Sequence, residues 1–102
     1  MAQRGRKAQQ APIDHVVTGE WPEAELDGDI GAAYAQDFAR RLRDAIDGRS
    51  YPVIAELSGV PRMTISVLVA GKSYPTLLTI ARLEAALGPL LADKKARLAL
   101  GG

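Results

Sequence analysis

The chain has no cysteine among its 102 residues, so disulfides and thiolate metal sites are excluded. It has one histidine, His15, and so cannot assemble an imidazole pair or a His-rich metal site. Aromatic residues are scarce: one Trp, three Tyr and one Phe. With 47% hydrophobic residues overall, a core must therefore be built from Leu, Ile, Val and Ala. That mixture favours a small helical bundle over a β-sandwich. No apolar run approaches the length of a membrane span. Residues 1–12 are polar and basic with no apolar stretch behind them, so no secretory signal is read. The expectation is a soluble cytoplasmic protein of one domain with some tail.

The net charge of +1 conceals an asymmetry. Residues 1–34 carry Arg4, Arg6 and Lys7 against Asp14, Glu20, Glu23, Glu25, Asp27 and Asp29, a balance of −3. Residues 35–102 balance at +4. The part of the chain with helical patterning is mildly basic, as a phosphate-binding surface requires.

Residues 1–12 lack periodicity and read as a disordered arm. Residues 13–29 hold Gly19, Pro22, Gly28 and scattered acids, with no strong helix or strand. Ile13, Val16, Val17 and Trp21 are candidates to dock on the body. From Asp29 the pattern changes. Ile30, Tyr34, Phe38, Leu42 and Ile46 recur at every fourth position beside Ala35, Ala39 and Ala45, which is one apolar helix face. Asp29 is its candidate N-cap and Gly48 its C-cap residue, with Arg40, Arg41 and Arg43 around the other side.

Ser50 can cap a second helix ending near Ser58, with Pro52 in the first turn where a missing N–H costs little. Gly59 supplies a left-handed turn residue. A third helix runs from about Arg62 to Ala70, closed by Gly71. Thr76 caps a fourth, with Leu77, Ile80, Ala81, Leu83 and Leu87 at helical spacing until Gly88 and Pro89 end it. Residues 90–100, with Leu90, Leu91, Leu98 and Leu100, are expected to add a short fifth helix. The expected fold is all-α: a small bundle of four to five short helices with a largely irregular N-terminal extension. The extension spans 1–29, flexible and mixed basic and acidic, and the helical domain with its C-terminal helix spans 30–102.

The most informative stretch is 50–75, SYPVIAELSGVPRMTISVLVAGKSYP. Two short amphipathic segments, one carrying Ile54, Ala55 and Leu57 and the other Ile65 and Leu68, flank the break Gly59-Val60-Pro61. That is the layout of a helix-turn-helix. Residues 38–91 resemble the Cro/cI-type (XRE-family) helix-turn-helix domain of phage repressors and bacterial regulators. Ala55 matches the small residue that permits close crossing of the two helices, Gly59 the turn glycine, and Ile65 and Leu68 the inward residues of the recognition helix. Thr64-Ile65-Ser66, Ala70-Gly71-Lys72 and Pro75-Thr76-Leu77 match further elements in order.

The resemblance implies a sequence-specific transcriptional regulator that binds double-stranded DNA as a homodimer without a cofactor. The segment about 62–70 would lie in the major groove. Opposite Ile65 and Leu68, the candidates for base contact are Arg62, Met63, Ser66, Val67 and Ala70. Arg62 leads them, because a guanidinium can bond guanine O6 and N7 bidentately. Tyr51, Thr64, Lys72, Ser73 and Tyr74 are candidates for phosphate contact, which fixes register without reading sequence. The dimer surface is expected in residues 87–100. The recognition segment carries one formal charge, Arg62. That motivates a second reading: a protein-interaction module, for example an antitoxin. It would use the apolar face of Met63, Val67, Val69 and Ala70, or the N-terminal extension. Asp14 and His15 are adjacent but no nucleophile or third group accompanies them, so neither a catalytic nor a metal site is assigned.

Overall fold

The computed structural model describes residues 10–92. In chain order these form a 3-10 helix, Pro12–His15, and a short antiparallel pair, β1 (Val16–Thr18) and β2 (Glu25–Leu26). Four α-helices follow: α1 (Ile30–Ile46), α2 (Tyr51–Ser58), α3 (Arg62–Val69) and α4 (Leu77–Leu87). Among the described residues no single helix is long and apolar enough to cross a membrane.

Local chemistry sets the helix boundaries. The Asp29 carboxylate accepts from the Ala32 N–H at 2.9 Å, the Ser50 hydroxyl from Val53 at 3.4 Å, and the Thr76 hydroxyl from Thr79 at 3.1 Å. Each satisfies a donor that helix geometry would leave orphaned. At the end of α1 the left-handed residue is Asp47, with Gly48 left-handed after it; Gly48 was the expected cap. Arg49 closes this end by donating to the carbonyls of Ile46 and Ala45.

The core joins Phe38, Leu42 and Ile46 of α1 to Ile54, Val60, Ile65, Leu68, Leu83 and Leu90. Tyr51, Ala55, Val69, Ile80 and Leu87 pack against it. The apolar periodicity overreaches at two helix starts: Ile30 is 55% exposed and Leu77 is 83% exposed. Leu57 of α2 also faces outward. Residues 90–92 are not helical. Leu90 is buried, with its N–H donated to the Glu84 carboxylate at 2.8 Å. The remainder of the expected fifth helix, with Leu98 and Leu100, lies outside the described residues.

The expected irregular extension is corrected over residues 12–29. Val16 pairs with Leu26 and Thr18 with Glu25, with a bulge between. The connection between the two strands is docked on a polar face of α1 through residues 22–24. Gln36 donates to the Ala24 carbonyl at 2.7 Å, Arg40 to the Pro22 carbonyl at 3.1 Å, and Arg43 bonds Glu23 at 2.7 Å. Positions 36, 40 and 43 share one face because they are spaced by four and three residues. The side of α1 away from its apolar face, where Arg40 and Arg43 stand, thus carries the N-terminal segment.

Candidate nucleic-acid interface

Residues 59–61 separate α2 from α3, and the chain turns through 114° between them. Gly59 makes the turn possible with φ at +78°. Val60 is buried beneath it and anchors the turn in the core. Ser58 closes the corner: its hydroxyl donates to the Ile54 carbonyl at 2.7 Å and accepts from the Val60 N–H at 3.1 Å. Ile65 and Leu68 fix α3 by their inner faces.

Four of the sequence-predicted site residues meet. Tyr51, Arg62, Met63 and Ser66, with Pro52, line one open crevice of about 460 Å³ where α2 and α3 diverge. Met63 is 71% exposed. Arg62 is exposed and, among the described residues, makes no ion pair or side-chain hydrogen bond. Lys72 is likewise exposed and unpaired. Arg82 of α4 is exposed and unpaired as well, whereas the other described arginines are engaged: Arg40 with Pro22, Arg41 with Asp37 at 2.7 Å, Arg43 with Glu23, and Arg49 with α1 carbonyls. The N-cap of α3 is Pro61, which makes no side-chain cap. The first N–H groups of α3 therefore keep the donors that a capping hydroxyl would take.

The other predicted residues are placed differently. Val67 and Thr64 are half-buried on the flanks of α3. Val69 packs against the core and so leaves the apolar face on which it was grouped with Met63. Ala70 and Lys72 line a separate crevice of about 560 Å³ with Ile13, Val16, Trp21 and Pro22. The Ser73 hydroxyl donates to the Tyr74 carbonyl at 3.3 Å. Tyr74 lies in a third, apolar recess with Gly31, Tyr34, Phe38 and Leu91. Burial, then the charges of Asp29 and Asp27, push its phenol pKa up. That acidic neighbourhood disfavours a phosphate at the Tyr74 hydroxyl.

Trp21 is the residue whose importance sequence reasoning understated. Its indole N–H donates to the Val69 carbonyl at 2.9 Å, at the end of α3. Its ring lies over Gly71, whose φ is +73°. The Ile13 N–H donates to the Gly71 carbonyl at 2.8 Å. The signal in the sequence was the lone Trp itself, one of four apolar residues, with Ile13, Val16 and Val17, expected to dock on the body.

Below the strand pair, His15 Nδ1 lies 2.9 Å from Asp27, and its Nε2 3.9 Å from Asp29. The Asp27 hydrogen bond is the main cause that raises the His15 pKa above 6.5. The same bond holds the Asp27 carboxyl below its ordinary value. Among the described residues no group of three or more His, Cys, Asp or Glu converges as a metal site.

Compared with known proteins, the chain matches no family model, no curated relative and no solved structure.

Proposed function

We propose that this chain is a sequence-specific, double-stranded-DNA-binding transcriptional regulator of the Cro/cI helix-turn-helix type, with α3 as the recognition helix. The observation that carries the reading is the placement of Arg62. It is an unpaired guanidinium at the N-terminal end of a short helix. That helix follows its partner after a three-residue glycine turn at 114°. Helix-turn-helix units join their helices at about 90–120°, and the N-terminal residues of the second helix read base edges. Arg62, Met63 and Ser66 then face bases, and Lys72 faces phosphate. The uncapped N–H groups at the start of α3 are additional donors for an anionic backbone.

Such a protein acts as a dimer on half-sites about one helical turn apart. The exposed Leu77, Leu78 and Leu91 are apolar surface for that contact. The second reading, a protein partner on the apolar face of α3, is weakened because Val69 and Ala70 are turned toward the core and the N-terminal segment.

The test is selection from random duplexes by the purified chain, with Arg62→Ala in parallel. A two-fold-related motif that loses preference at one position in the variant supports base readout by α3. Absence of any enriched motif, with binding lost for every duplex at physiological salt, overturns the reading and favours a protein partner.

A further inference from the structure

We infer that Trp21 is a positioning residue for DNA binding: from the N-terminal segment it fixes the turn that presents Lys72 to phosphate. The inference rests on the DNA-binding reading and adds a role for residues 12–29.

An α-helix ends with four carbonyls that lack intrahelical donors. In α3 each of these has a partner. The Ser66 carbonyl accepts from Ala70 at 3.1 Å, Val67 from Lys72 at 2.9 Å and Leu68 from Gly71 at 3.2 Å. The pair from Lys72 and Gly71, with Gly71 left-handed, is a Schellman closure. The fourth carbonyl, that of Val69, is satisfied by the Trp21 indole, 48 positions away.

The peptide unit between Gly71 and Lys72 is therefore held at both ends. Its N–H is bonded to Val67, and its carbonyl accepts from Ile13. The Trp21 ring covers Gly71, whose Cα flanks that unit. Glycine by itself visits both signs of φ and gives the following residue no fixed direction. Here half of the restraint comes from the N-terminal segment. Lys72 thus leaves a backbone with one allowed orientation, so less ordering cost falls on DNA binding.

The experiment uses the full chain, a duplex enriched by the selection above and a duplex of unrelated sequence. Affinities of wild type, Trp21→Phe, Lys72→Ala and the double variant are measured across a salt series. Trp21→Phe keeps a ring over Gly71 and deletes the indole donor. The expected result is a loss of about three- to tenfold for both duplexes, the range of one hydrogen bond. The log–log salt slope should flatten by about 0.9, the share of one phosphate contact. The double variant should bind no worse than Lys72→Ala, because both remove the same contact.

A lowered melting temperature with an unchanged salt slope, or independent losses in the double variant, overturns the inference. Should Trp21→Phe fail to fold, the same series is run with benzothienylalanine at position 21, which retains the bicyclic ring and lacks the N–H. A wild-type chain that binds neither duplex in a salt-dependent way defeats the DNA-binding reading itself. That failure is distinguishable because it needs no variant.

Discussion

The Trp21 ring occupies the space that a side chain at Gly71 would need. A Cβ built there lies 2.7 Å from Cδ2 of the indole and 2.8 Å from Cζ2. The two residues are fifty positions apart, yet each depends on the other: the glycine leaves room for the ring, and the ring shields the glycine turn that ends α3.

Gly71→Ala should therefore cost more than an ordinary turn substitution. Left-handed φ strains any side chain by about 1–2 kcal/mol, and forcing a methyl into a packed contact adds about 1–3 kcal/mol. Gly59→Ala is the control: its φ is also positive, but no atom lies within 4 Å of the added carbon. It should cost only about 1–2 kcal/mol. Urea unfolding of both variants checks the ranking; equal losses would mean that the indole yields without cost.

The contrast between these glycines explains what was legible in the sequence. Gly59 announces itself by breaking two apolar periodicities, and Asp29, Ser50 and Thr76 by standing one residue before a periodic run. Such signals are local. The docking of residues 12–29 is not local. β1 and β2 have three and two residues, too few for alternation to register. Their attachment runs through Gln36 and Arg40, which bond the Ala24 and Pro22 carbonyls, and Arg43, which bonds the Glu23 carboxylate; polar side chains on a helix face do not announce such distant partners. Within the candidate interface, Arg62, Met63 and Ser66 were legible because they oppose Ile65 and Leu68. Val69 was not, because its burial depends on the packing around the end of α3.

Gln36 makes that attachment testable. It is a buried polar side chain, and its amide supplies the donor to the Ala24 carbonyl. Gln36→Leu should leave a buried carbonyl unsatisfied and destabilise the protein by about 1–3 kcal/mol. Because Trp21 is the sole tryptophan, its emission reports on the same segment. A red shift at low denaturant, ahead of the loss of helical circular dichroism, is the expected sign of local undocking. Coincident transitions would mean that the segment and the helices unfold as one unit.

Two arginines, Arg62 unpaired and Arg41 paired, should behave differently toward DNA. Arg62→Ala should cost about 1–3 kcal/mol at one base pair and relax preference there. Arg41→Ala removes a guanidinium already held by Asp37 within α1. It should change stability by no more than about 0.5 kcal/mol and leave base preference unaltered. Titration of an enriched duplex and its single-base variants separates the two. A relaxed preference in Arg41→Ala would show that α1, rather than α3, reads the bases.

The His15–Asp27 pair predicts how the N-terminal segment responds to pH. His15 has a folded pKa above 6.5, chiefly because its ring is hydrogen-bonded to Asp27. Its contribution is complete below about pH 6.5, where the imidazolium forms in both states, and is lost as pH rises through the folded pKa. Asp27 is shifted down from 3.8 by the same bond. Its contribution is present above about pH 4 and is lost as pH falls through its folded value. The segment should hold best between these limits, with Asp14, Asp29 and Tyr74 as the other titratable groups near the pair. Undocking is followed by Trp21 emission across pH 3–9 in wild type, His15→Gln and Asp27→Asn. Wild type should loosen on both flanks. Each variant should lose the alkaline flank, since neither retains a histidine–carboxylate pair to dissolve. An alkaline flank that persists unchanged in His15→Gln would assign the response to another group, and the clasp between His15 and Asp27 would then have no role in holding the segment against α3.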